Sequence, residues 1–203
     1  AIIAVAQSAV ENLTETGVDP RKITVIANGV EPMRTLSVAE RAEFRKSIGI
    51  TPDEFVCLIS ARLEEYKGHS YLIDTAKYVR DMLGNEKKVR FIFMGDGTCR
   101  RGLEEKARDV GVDDIIIFTG FVDDVAPYCN IADLNLNCSW GTETASLALC
   151  EAMSLSLPSV VTDFGGNPYL ITDGVNGLLV PKKDSASMAD AIVRLIKDPV
   201  LLE

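Results

Sequence analysis

The sequence predicts an α/β protein built on a doubly wound parallel sheet of about six strands, with helices on both faces. Three observations predict it. Six short apolar runs recur at intervals of about 20 to 35 residues: Phe55–Ile59, Val89–Met94, Ile115–Phe118, Leu134–Asn137, Ser159–Thr162 and Gly177–Val180. Most are continuous, as in strands buried on both faces. Helical patterns fill the intervals, and such alternation means right-handed βαβ units.

The elements follow in order. Residues 1–28 read as a separate unit: a strand at Ile2–Ala6, a helix near Ala9–Thr16 and a strand at Ile23–Ile26. Asn28-Gly29 is a turn signal. Residues 29–36, with Pro32, read as a linker, and residues 37–203 as the main domain. Ser37-Val38-Ala39-Glu40 is a capping box, with Gly49 as the stop. Tyr71, Leu72, Thr75, Ala76, Val79 and Leu83 keep one face of a second helix, closed by Gly84. Leu103–Val110 and Met188–Ile196 predict two more helices. Ser146 can cap a further helix that Pro158 limits. Its residues are apolar all round except Glu151, which predicts a buried helix. Glu203 falls inside a helix that reads on, and the chain opens on Ala1, so the sequence reads as a fragment cut at both ends.

Composition excludes several classes. The 203 residues are 47% apolar and 25% charged, with a net charge of −9. That charge opposes nucleic-acid binding and a polybasic membrane anchor. No apolar run approaches the roughly 20 residues of a membrane span. Ala1–Ala6 is too short for a signal peptide and lacks a basic start. Five cysteines without a CxxC pair predict reduced, cytoplasmic thiols packed as small apolar residues. A single histidine, His69, opposes a histidine metal cluster and reads as a helix-start or surface residue.

Ligands of doubly wound sheets bind outside the carboxyl ends of the strands, so the residues after each run matter most. After Phe55–Ile59 come two cations, Arg62 and Lys67. They suit phosphate oxygens, or else are solvated and paired with Glu64 and Glu65. After Val89–Met94 comes Gly95-Asp96-Gly97, with Arg100 where a dinucleotide fingerprint needs its third glycine. An NAD oxidoreductase is therefore disfavoured, although the glycines allow a tight turn or close ligand approach. The densest signal runs from Cys138 to Met153. Glu151 is a lone carboxylate on an apolar helix, so it needs a partner: a ligand hydroxyl, a buried cation or backbone amides. Glu143 lies in the preceding loop, and the amides of Thr144, Ala145, Ser146 and Leu147 form a helix N-terminus suited to phosphate or sugar oxygens. Gly165-Gly166 allow either a close ligand approach or a flexible turn. Trp140 could shield the pocket or serve a core or interface role.

These residues resemble the family-4 retaining glycosyltransferases. Ile26-Ala27-Asn28-Gly29-Val30 is similar to I-x-N-G-V, Ala61-Arg62-Leu63 with Lys67-Gly68 to G-R-L-x-x-x-K-G, and Met94-Gly95-Asp96-Gly97 to V-G-D-G. Thr119-Gly120-Phe121 resembles F-x-G, Glu143 and Glu151 resemble E-x7-E, and Glu151-Ala152-Met153 resembles E-A-M. Thr162-Asp163, Gly165-Gly166, Asp173-Gly174 and Asn176 to Pro181 resemble the closing pattern. The series keeps family order and spacing from residue 26 to 181.

The resemblance implies a GT-B fold of two Rossmann-like domains, of which this chain would be the carboxyl-terminal, donor-binding half. Residues 1–28 would be the last βαβ of the acceptor domain. Arg62 and Lys67 would hold the donor diphosphate, and Glu151 the ribose hydroxyls. Glu143 would be the catalytic residue at the donor sugar, beside the amides of Thr144 to Leu147. Gly95 would border the donor, and Gly120, Phe121 and Val122 its base. It implies no metal and no organic cofactor. The donor would be a UDP- or GDP-sugar, and the acceptor a glycan, a lipid-linked sugar or a small molecule. The fragment alone would be inactive. Any membrane contact would be peripheral, at the cytoplasmic face, through the amino-terminal domain. Ala61 replaces a usual Gly, Thr144-Ala145-Ser146 a usual Gly-Phe-Gly, and Ser154-Leu155-Ser156 a common Ala-Cys-Gly. Two other readings stay open: a non-catalytic nucleotide-sugar-binding half, and a GT-B epimerase or phosphorylase.

Overall fold

The computed structural model describes residues 1–202. Two parallel strands, β1 (Ile2–Ala4) and β2 (Ile23–Val25), pair from Ile2–Ile23 to Ala4–Val25, with helix α1 (Gln7–Glu15) between them. They form a sheet of their own. An irregular stretch leads to α2 (Val38–Ser47), where Ser37 and Glu40 complete the expected capping box.

The main sheet has six parallel strands: β3 (Phe55–Ser60), β4 (Val89–Met94), β5 (Ile116–Gly120), β6 (Leu134–Asn137), β7 (Ser159–Thr162) and β8 (Leu178–Val180). Their order is β5-β4-β3-β6-β7-β8. The expected doubly wound architecture is therefore present. The order reverses between β3 and β6, and such a switch point opens a crevice at the carboxyl ends of the two strands.

The continuous apolar runs follow from burial on two faces. Cys57, Ile59, Phe91 and Phe93 face a core closed by α3 (His69–Leu83), α4 (Arg100–Val110) and α8 (Ser185–Lys197). Val56, Leu58, Ile92 and Met94 face a second core with Cys129 and Ile131 of α5 (Ala126–Ile131). A period of two sends neighbouring residues to opposite layers.

Four elements differ from expectation. The register of β4 against β5 shifts between Phe93 and Met94, so β5 continues to Gly120. The four-residue α7 (Asn167–Leu170) and the six-residue α5 are too short to show helical periodicity in the sequence. Helix α6 (Leu147–Ser154) buries only Leu149 and Ala152, and Leu147 is 47% exposed. The expectation of a fully buried helix fails because Leu147 and Ala148 line an open cavity instead of a core. A last helix, α9 (Pro199–Leu202), follows α8; the helix expected at Glu203 lies outside the described residues. Among the described residues no helix is long and apolar enough to cross a membrane.

Candidate active site

The crevice is framed by the loop after β3 and the loop after β6, and backbone contacts hold these loops together. Gly68 has φ 79°, and a Cβ there would fall 2.0 Å from the Cys138 carbonyl oxygen. Only glycine meets both conditions. The Cys138 thiol donates to the Lys67 carbonyl, and the Trp140 N–H to the Tyr66 carbonyl at 2.9 Å. The Trp140 ring nitrogen donates to the Glu65 carbonyl at 3.0 Å, while the Lys183 ammonium lies 3.6 Å from the centroid of its ring. Trp140 therefore fastens two loops together.

Between the loops lies a cavity of about 440 Å³, lined by Arg62, Lys67, Asn137, Glu143, Ser146 and Leu147 among others. Lys67 Nζ meets Glu143 Oε2 at 2.9 Å, with side chains 17% and 6% exposed. The same oxygen accepts from Ser139 Oγ at 2.8 Å and from Asn137 Nδ2 at 3.3 Å. Glu143 Oε1 accepts nothing among the described residues. Arg62 is exposed and donates to the Tyr66 hydroxyl at 2.8 Å. It has no carboxylate partner among the described residues, so the alternative pairing with Glu64 or Glu65 is not what forms. Glu64 instead accepts from Thr98 Oγ1 and N, and this holds its carboxyl below the usual range.

Ser146 caps α6, accepting from the Leu149 N–H at 3.2 Å. The α6 N-terminus thus faces the cavity with its capping hydroxyl held in place, and Ala145 and Ser146 line it. Thr144 turns away, and its carbonyl accepts from Ser8 of the 1–28 unit. A Cβ on Gly165 would fall 1.9 Å from the Glu143 carbonyl oxygen, and one on Gly166 2.0 Å from that of Thr144. These glycines lie in the turn before α7 and admit the backbone of the Glu143 loop.

Glu151 lies one turn beyond the cavity, half-buried, with no hydrogen bond or ion pair to its carboxylate among the described residues. Burial pushes its carboxyl upward. Neither a buried cation nor backbone amides satisfy it.

Gly95 and Gly97 pack under the loop after β3, where Cβ atoms would meet the Ala61 and Leu63 carbonyl oxygens at 2.2 and 2.5 Å. Gly95 also donates to the Gly120 carbonyl at 3.0 Å. Gly120, Phe121 and Val122 stand at the same sheet edge but outside the cavity; Phe121 is 78% exposed and Val122 packs on the second core.

His69 begins α3 as expected but is not on the surface. It is 1% exposed, both ring nitrogens lack a partner among the described residues, and its ring stands edge-on to Phe93. Burial, helped by Lys67, holds its pKa at about 3. Cys57, Cys129 and Cys138 are buried as expected, and burial pushes their thiols upward, whereas Cys99 and Cys150 are only partly buried. Sequence reasoning missed Asn137, Ser139 and Tyr66. The available signal was an asparagine at the carboxyl end of an apolar strand, where a polar side chain needs a reason.

Comparison with known proteins fits this geometry. Residues 54–198 match the family model "Glycosyl transferases group 1". The chain is 28% identical over 191 residues to the putative glycosyltransferase EpsD of Bacillus subtilis, covering 94% of this chain and 49% of that protein. It is 29% identical over 192 residues to the Escherichia coli UDP-Gal:alpha-D-GlcNAc-diphosphoundecaprenol alpha-1,3-galactosyltransferase, covering 93% and 49%. The chain thus spans about half the length of these relatives. Among solved structures, Anabaena HepE in complex with UDP and glucose superposes with a TM-score of 0.91 at 25% identity, over 98% of this chain and 54% of that one. The family match runs from the residue before β3 to the residue after α8, which is the whole six-stranded unit that carries the crevice; the chain belongs to the glycosyl transferases group 1 family.

Proposed function

We propose that this chain is the donor-binding half of a retaining, family-4, GT-B glycosyltransferase. The enzyme moves a sugar from a nucleoside-diphosphate sugar to a glycan, lipid-linked or small-molecule acceptor. The observation that carries this reading is the crevice at the β3/β6 switch point, where Arg62 without a carboxylate partner, the Lys67–Glu143 pair and the α6 N-terminus converge. Two cations and a helix N-terminus suit a diphosphate. The cavity of about 440 Å³ suits a compact polar ligand. UDP and glucose held by Anabaena HepE support a uridine donor.

In this reading Arg62 and Lys67 bind the diphosphate and neutralise charge as it leaves, without a metal. The free Oε1 of Glu143 meets the donor sugar, where charge develops in the transition state. The lone carboxylate of Glu151 binds the ribose hydroxyls, and Gly120 to Val122 border the base. Residues 1–28 end the acceptor domain, linked to the donor half through Ser8 and Thr144. The enzyme works in the cytoplasm, and its acceptor domain makes any contact with the membrane face.

A thermal-shift panel of UDP, GDP, ADP and their sugar conjugates, run in chelator, tests the reading. A ligand at 100 times its Kd stabilises by about 2.7 kcal/mol. A clear shift with one nucleotide and its conjugate is the expected result; no shift with any sinks the proposal.

A further inference from the structure

Asn137 is the last residue of β6 and is buried. Its Nδ2 donates to Glu143 Oε2 at 3.3 Å and to Ser146 Oγ at 3.2 Å, and its Oδ1 accepts from the Ser139 N–H at 3.0 Å. Both donors and the acceptor are thereby used, which allows one orientation of the amide. Turned over, its oxygen would face Glu143 and its nitrogen the Ser139 N–H. Ser139 Oγ and Lys67 Nζ complete the set on Glu143 Oε2.

Glu143 itself sits in the irregular stretch between β6 and α6. A side chain there has no regular backbone to fix it. Asn137 stands on the rigid strand and reaches both the carboxylate and the Ser146 hydroxyl that caps α6. One carboxamide therefore ties the orientation of Glu143 to the position of the helix N-terminus.

We propose that Asn137 is a positioning residue for sugar transfer: it fixes the carboxylate of Glu143 relative to the α6 amides, so that both meet one bound donor. The inference rests on the function proposed above. Fixed geometry matters because a misplacement of about 1 Å costs roughly 100-fold in rate.

The test is a double-mutant cycle in the full-length protein. The probe is whichever UDP- or GDP-sugar shifts its melting most, and the readout is release of nucleoside diphosphate. Asn137→Leu keeps the volume and removes both donors. It should lower kcat by about 10- to 100-fold and change the donor KM by less than about 3-fold. In a Glu143→Ala background the same substitution should lower kcat by less than about 2-fold, since nothing remains to position. Equal losses in the two backgrounds, or a rise in KM alone, overturn the proposal. Melting temperature supplies a second cycle, free of activity. Asn137→Leu should lower it more in the wild-type background than in Glu143→Ala, and equal lowering overturns the proposal. A wild-type protein that releases nucleotide from no conjugate refutes the proposed function instead, and the melting cycle then decides by itself whether Asn137 holds Glu143.

Discussion

Lys67 and Glu143 lie 76 positions apart in the chain and meet across the crevice at 2.9 Å. Among the described residues each is the other's only charged partner, and both are mostly out of water. Breaking such a pair from one side leaves an uncompensated buried charge, a loss of about 3–5 kcal/mol. Lys67→Met should therefore destabilise the chain by nearly that amount, reduced somewhat by the Ser139 and Asn137 bonds that Glu143 keeps. Adding Glu143→Gln should recover part of the loss. Urea denaturation of the three variants checks this; strictly additive losses would mean that the pair contributes nothing as a pair.

Arg62 presents the opposite case. It is exposed, and among the described residues its one side-chain bond is to Tyr66. Arg62→Ala should leave the urea midpoint nearly unchanged. It should weaken the bound nucleotide by about 10- to 150-fold, the worth of one or two charge-assisted bonds. Calorimetry with the best nucleotide decides, and unchanged affinity removes Arg62 from the diphosphate site.

The two carboxylates should separate by ligand. Glu143 lines the cavity, whereas Glu151 stands a turn away with no bond to its carboxylate among the described residues. Glu151→Gln should weaken a bare nucleotide and its sugar conjugate by similar factors, and Glu143→Gln only the conjugate, each by about 1–3 kcal/mol. If Glu143→Gln weakens the bare nucleotide as much as the conjugate, the assignment of separate roles is wrong.

The six-stranded sheet was legible because strands buried on both faces leave continuous apolar runs such as Phe55 to Ile59, bounded by helical patterns. The cations and carboxylates were legible because they follow those runs at the ligand edge. What stayed hidden depends on contacts between distant segments. Nothing local to Arg62 shows that Thr98, 34 residues from Glu64, engages that carboxylate and leaves the guanidinium to Tyr66. Nothing local to Gly165 and Gly166 shows that their missing side chains admit the Glu143 loop, more than 20 residues earlier. Helix α6 misled because an apolar surface facing an open cavity reads the same as one facing a core.

His69 should make the protein sensitive to acid in a window of its own. Its ring is enclosed, and both nitrogens lack a partner, so only the neutral form fits. Its pKa is about 3 in the folded state, against an ordinary 6.5 once unfolded. The depressed value fixes the sign: the unfolded chain binds the proton first, so the stability is complete above about pH 6.5 and is lost as pH falls toward 3. Each unit of pH deep within that window costs about 1.4 kcal/mol. Between pH 7 and 5.5 the loss should be about 1.3 kcal/mol, before most carboxylates begin to titrate. Glu151, pushed upward by burial, acts with the opposite sign, but it is present in every variant compared and cancels in the difference. His69→Leu fills the same apolar site beside Phe93 without a titratable group, so from pH 7 to 5.5 the wild type should lose about 1.3 kcal/mol relative to this variant in urea denaturation. Parallel curves for the two proteins would mean that His69 finds a partner in solution and is not held neutral by its burial.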